Sequence, residues 1–197
     1  MLDYKPLDLL IIGAGMIVHD LILPAAYHLQ RLGCIKDISV CGTRVTSLQS
    51  LRDNILIEEA FPGQSFTSYP ALDTTVPDNQ ELYKEVLEQM APYQTVVVAL
   101  PDQLHYQVVM DVLDYNQHIL CVKPLVLTHK HAVEIAKKAE SKGLFVGVEC
   151  GLGVVEPARH DPPVGIRATL HHDGRSCPTL SVGGDRCRGF CGPVFLG

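Results

Sequence analysis

No apolar run in this 197-residue chain approaches a bilayer span; stretches such as Thr95 to Leu100 fall far short of the roughly 20 residues a membrane helix needs. The opening Met1-Leu2-Asp3-Tyr4-Lys5 lacks signal-peptide character, so the expectation is a cytoplasmic protein with no membrane partner. An excess of positive charge is missing too. The formal net charge is -6 and the bases are scattered, which argues against a nucleic-acid partner. Cysteine is present but unpaired in pattern. Seven cysteines at wide spacing do not make a secreted disulfide framework, and Cys34, Cys41 and Cys121, in or beside apolar elements, read as reduced structural thiols. At this length the expectation is one good α/β domain and little more, since a two-domain enzyme of ordinary size would not fit in 197 residues.

What is present is organised around Leu9-Leu10-Ile11-Ile12-Gly13-Ala14-Gly15-Met16-Ile17-Val18. A short apolar run, two glycines one residue apart and then helical spacing read as a buried parallel strand, a tight turn and a helix N-terminus. Such a turn receives a pyrophosphate. Gly13 allows the sharp bend, Gly15 lets the backbone approach the phosphates, and the first N–H groups of the helix, at Met16 and Ile17, hold the negative charge. The third small residue of the G-x-G-x-x-G/A fingerprint is absent: Val18 stands there and is expected to push helix and strand apart. An ordinary strand-to-helix turn remains the alternative.

Apolar residues from Ile17 to Leu29 keep helical spacing up to a stop at Gly33, but Pro24 interrupts the run and predicts a kink or two helical pieces. A strand at about Ile38 to Cys41 and a helix from Arg44 to Leu51 complete a βαβ unit. At the end of that second strand the acid that would accept the adenosine ribose of NAD is missing. Cys41-Gly42-Thr43-Arg44 offers instead a small residue, a hydroxyl and a guanidinium, which suit the 2′-phosphate of NADP. NADP is therefore the preferred cofactor and NAD the second, unless Arg44 merely faces water in the next helix.

Residues 54–92 are less regular, with a turn at Phe61-Pro62-Gly63, a short strand at Phe66 to Tyr69 and helical spacing from Asp78 to Met90. Glu81, Glu85 and Glu88 there read as a solvated helix face rather than an acid/base cluster. Thr95 to Leu100 is a strand buried on both faces and ended by Pro101-Asp102. His105 opens a helix, Ile119 to Val122 is a further strand, and Lys123-Pro124 follows it directly. Thr128 caps a helix that ends at Gly143, and Leu144 to Val148 is a sixth strand. The fold class is α/β, a doubly wound parallel sheet of the Rossmann-like kind. Its ligands lie at the carboxyl ends of the strands, where four loops fall: Gly13 to Gly15, Gly42 to Arg44, Pro101 to His105, and Lys123-Pro124.

On these residues the chain resembles the nucleotide-binding half of the glucose-fructose oxidoreductase and inositol dehydrogenase family, Gfo/Idh/MocA, over about residues 5 to 149. Besides Gly13-Ala14-Gly15, the stretch Leu100-Pro101-Asp102-Gln103-Leu104-His105 resembles the family's T-P-N-x-x-H. His118-Ile119-Leu120-Cys121-Val122-Lys123-Pro124 resembles its H-V-x-x-E-K-P. The resemblance implies hydride transfer between nicotinamide and a sugar-like or cyclitol substrate. It makes Lys123 the catalytic counterpart beside the nicotinamide, with Leu100, Pro101 and His105 lining the cofactor crevice. Val122 stands where the family has a glutamate, which removes a carboxylate that would pair with and orient the lysine. For Lys123 the plain alternative is an exposed lysine after a strand, and for His105 a polar residue at a helix start.

Beyond Glu149 the composition changes. Residues 150–197 carry nine glycines and five prolines, no lysine and no persistent period, which is the signature of an irregular or disordered segment. The domains expected are therefore a dinucleotide-binding domain at 1–149 and an irregular tail at 150–197, where the resemblance would continue into a substrate domain. A shift of reading frame near residue 149 would account for an arginine-, glycine-, cysteine- and proline-rich tail, and the expectation is then a shortened oxidoreductase of low activity. A metal module from Cys177, Cys187, Cys191 and His171 or His172 is a rival, but only Cys187 and Cys191 approach zinc-ligand spacing, and no metal is expected. A non-enzymatic NADP(H)-binding sensor or subunit is the alternative function.

Overall fold

Leu7–Ile12 forms β1 because its apolar side chains are needed on both faces of a covered sheet; Leu10 and Ile11 are wholly buried and Leu9 and Ile12 nearly so. The computed structural model describes residues 5–74 and 78–149, with the backbone of Arg167–Ala168. The chain divides into two compact units, residues 1–101 and 102–197.

In the first unit β1 is joined by β2 (Ile35–Cys41), β3 (Thr67–Tyr69) and β4 (Thr95–Val98), all parallel, in the order β3-β2-β1-β4. Ile11 lies opposite Val40 on one side and Val97 on the other, so the middle of the sheet is a layer of branched side chains. Each such side chain, once removed from water, contributes about 1.5–3 kcal/mol before entropy is charged against it. The helices are α1 (Leu23–Arg31), α2 (Val45–Arg52), α3 (Ile55–Ala60) and α4 (Leu82–Gln89). Asn54 caps α3 by accepting from the backbone N–H groups of Leu56 and Ile57, a short helix the sequence pattern did not suggest. Glu81, Glu85 and Glu88 are exposed, as a solvated face requires.

Where a kink or two helical pieces were expected at Pro24, the helix is modified rather than interrupted: residues 16–31 stay helical, with Ile22 and Leu23 both in the right-handed helical region. Val18–Ile22 is a π-helical turn, and α1 begins beside Pro24, whose missing N–H costs least in a first turn. Val18, which stands where the fingerprint has its third small residue, is fully buried at the start of this widened turn.

The second unit holds α5 (Asp102–Asp114), β5 (His118–Val122), α6 (His129–Lys142), β6 (Val146–Glu149) and β7 (Arg167–Ala168), its strands parallel in the order β5-β6-β7. Thr128 accepts from the His131 N–H at the start of α6. Gly143, at φ 64°, closes the helix in the left-handed conformation that carries no penalty without a Cβ. The strand β7 lies within the segment expected to be irregular. The frame-shift and metal-module readings concern residues that otherwise lie outside the described ones. Parallel strands alternating with helices, in the order expected up to Glu149, make this an α/β fold of the doubly wound, Rossmann-like kind.

Candidate dinucleotide-binding site

The turn after β1 is fixed by its neighbours. Gly13 donates its N–H to the Cys41 carbonyl at 2.8 Å, and Ala99 donates to the Ile12 carbonyl at 2.9 Å, so the chain leaves β1 clamped between the ends of β2 and β4. Gly13 has φ 123°, and a Cβ built there would lie 2.1 Å from the Ala99 carbonyl oxygen. No other residue fits. Gly15 is the opposite case: it is exposed, and a Cβ there would meet nothing within 4 Å. Its carbonyl accepts from Val18 and His19 at 2.9 and 3.3 Å, which opens the helix. The N–H groups of Met16 and Ile17 precede the first intrahelical donor, Val18, and so have no acceptor within the helix, as at any helix start.

The second loop lies against the first. A Cβ at Gly42 would come within 3.4 Å of Ala14 Cβ and 3.3 Å of Leu48, and the Gly42 N–H is held by the Tyr69 carbonyl at 2.9 Å. Thr43 and Arg44 follow, both exposed, with Arg44 at the N-cap position of α2. Its Nε donates to Asp78 Oδ2 at 3.4 Å. Asp78 was not singled out from the sequence. It lies 34 positions away on the approach to α4, and no spacing rule connects the two. The third loop, Leu100 and the exposed Pro101, leaves β4 directly after Ala99. The Gly13–Gly15 and Gly42–Arg44 loops therefore lie side by side with Leu100 and Pro101 at the carboxyl ends of β1, β2 and β4, while the rest of the expected third loop, Asp102 to His105, is the first turn of α5. Two cavities of about 360 and 250 Å³ open around the Gly63–Phe66 turn before β3, and neither includes any of these residues.

In the second unit, Lys123 is exposed at the carboxyl end of β5, and the Lys123-Pro124 peptide is cis. His105 does not open its helix as a surface residue. The helix starts at Asp102, and His105, one turn in, is wholly buried. Its Nδ1 lies 2.6 Å from the Pro124 carbonyl oxygen. A carbonyl only accepts, so the ring nitrogen donates, and the imidazole ties the first turn of α5 to the lysine-bearing turn. Val122 is buried at the position of the missing glutamate. Burial pushes the Cys41 and Cys121 thiols up to about 12, with the charges of Glu85 and Asp102 adding to the shift. Both stay protonated, which suits structural thiols. Among the described residues no group of three His, Cys, Asp or Glu is placed to hold a metal, and no helix is long and apolar enough to cross a membrane.

A parallel α/β sheet with two glycines in its first turn and a guanidinium at the second strand end defines a dinucleotide-binding domain. The chain belongs to the oxidoreductase family GFO_IDH_MocA, whose NAD-binding Rossmann fold matches residues 7–150. It is 33% identical over 75 residues to YfiI of Bacillus subtilis, an uncharacterised oxidoreductase, a match covering 38% of this chain and 19% of that protein. The myo-inositol 2-dehydrogenase of Lactobacillus plantarum superposes with a TM-score of 0.51 at 18% identity, over 74% of this chain and 36% of that one. KijD10, a 3-ketoreductase of Actinomadura kijaniata solved with NADP and TDP-benzene, gives 0.51 at 22% identity, over 73% and 37%. The chain thus corresponds to little more than a third of these enzymes and about a fifth of the curated relative.

Proposed function

We propose that the chain is the NADP-preferring dinucleotide-binding part of an oxidoreductase acting on a sugar-like or cyclitol alcohol or its ketone. The observation that carries this is the contrast within the first turn, where Gly13 is locked against Ala99 while Gly15, two residues on, leaves open space in front of a helix start. Backbone from Gly15 to Ile17 would hold the pyrophosphate, Thr43 and Arg44 the adenosine ribose end, and Leu100 and Pro101 would lie along the cofactor. The nicotinamide, when bound, supplies or accepts the hydride. Lys123 would exchange the proton of the substrate hydroxyl, a role that needs reach to that oxygen at about 3 Å. His105 is a positioning residue in this reading. It fixes the turn that carries Lys123 and touches neither cofactor nor substrate.

The family match, a ketoreductase solved with NADP and the inositol dehydrogenase support the reading. Titration of the full chain with NADPH and NADH is the direct test. Saturable binding of NADPH, tighter than that of NADH and weakened by Arg44→Gln, is expected. A folded chain that binds neither dinucleotide overturns the proposal. An assay over a polyol panel then separates enzyme from sensor. Little or no turnover is expected, since the described residues supply Lys123 but no substrate-enclosing wall, and rapid turnover would show that the chemistry is complete without one.

A further inference from the structure

Resting on the dinucleotide reading, we propose that Asp78 is a specificity-determining residue that restrains the preference for NADP by holding Arg44. The end of β2 lacks an acid in sequence, yet the fold brings a carboxylate to it from 34 positions away. The Arg44 Nε is engaged by Asp78 Oδ2 at 3.4 Å, with the two side chains 69% and 62% exposed, so both face solvent beside the Gly42-Thr43 turn. Arg44 is placed there by the clamp that fixes Gly42 between Tyr69 and Ala14.

The two cofactors meet this pair differently. A 2′-phosphate carries roughly two negative charges and draws its affinity from the guanidinium. Asp78 cancels part of that positive charge, occupies one of the five N–H donors, and sets its own negative charge beside the guanidinium that a phosphate would use. A ribose 2′-hydroxyl is neutral and can donate to a carboxylate, so the same aspartate costs NADH nothing and offers it an acceptor. Arginine alone selects NADP. Arginine with an aspartate on its Nε selects less sharply, and the solvent around both groups limits the difference to about three- to tenfold.

The test measures Kd for NADPH and NADH on the full chain, wild type and Asp78→Asn, at low and high salt. Asn keeps the size and a hydrogen-bonding oxygen and removes the charge at an exposed position, and a thermal melt checks that the fold is intact. The expected result is a rise of about three- to tenfold in the preference for NADPH over NADH, shrinking as salt screens the site. An unchanged ratio, with both cofactors still bound, overturns this inference and leaves the dinucleotide reading standing. A falling ratio also overturns it, because Asp78 would then be orienting Arg44 for the phosphate. A wild type that binds neither cofactor overturns both.

Discussion

At the exit of β1 the chain is held by the absence of a side chain, and at the exit of β5 by the presence of one. Gly13 turns at φ 123° with the Ala99 carbonyl where its Cβ would stand. Pro124 turns with its carbonyl gripped at 2.6 Å by the wholly buried ring of His105, 19 positions earlier. The first device leaves backbone exposed to a ligand, which suits a polyphosphate recognised by N–H groups. The second leaves a neighbouring side chain, Lys123, exposed on a turn tied to the first turn of α5, as the proton-exchanging role proposed for it would require. Two strand ends of one chain thus draw their rigidity from opposite sources, one from a missing side chain and one from a buried side chain's hydrogen bond.

The largest effect that would sharpen this contrast is Gly13→Ala. The added methyl meets a backbone carbonyl, and the φ is one that alanine rarely adopts, so a loss of about 3 kcal/mol or more is expected in denaturant unfolding, together with loss of dinucleotide binding. A variant with wild-type stability would break the account of the first turn. Next comes His105→Ala, which empties a buried ring site and strips the Pro124 carbonyl of its donor. About 2–3 kcal/mol should be lost. The positioning role has a separate readout: the solvent accessibility of the 123–125 turn should rise and its amide exchange protection should fall, while the Gly13 turn is unchanged. The smallest effect on folding is expected of Gly15→Ala, where nothing lies within 4 Å. Stability should stay within about 0.5 kcal/mol of wild type. Affinity for NADPH should nevertheless fall about tenfold or more, since the methyl enters the space the phosphates need. Equal losses of stability at Gly13 and Gly15 would erase the distinction between a structural and a ligand-facing glycine.

Much of this was legible in the residues. The apolar run before Gly13 gives a strand because no other element buries so short a continuous stretch, and the match of alternating elements to the observed order follows from period alone. Pro24 announced a departure from a straight α-helix, which takes the form of a π turn at Val18–Ile22 within a run that stays helical. His105 was harder. A histidine near a predicted helix start reads as polar and exposed, and only its partner at Pro124 shows that the ring has a donor's task inside the fold. Asp78 could not have been found. A carboxylate 34 positions from its guanidinium leaves no local pattern, and the helix that follows it reads the same wherever Asp78 points.

The sequence by itself determined the β1 turn, the parallel α/β winding and the types of group at each strand end, because glycine, proline and hydrophobic period act within a few residues of where they stand. The tertiary structure alone decided that Ala99 forbids a side chain at Gly13, that His105 braces the lysine turn and that Asp78 shares Arg44. Each of those depends on two segments distant in the chain arriving at the same place, and no local preference encodes such a meeting.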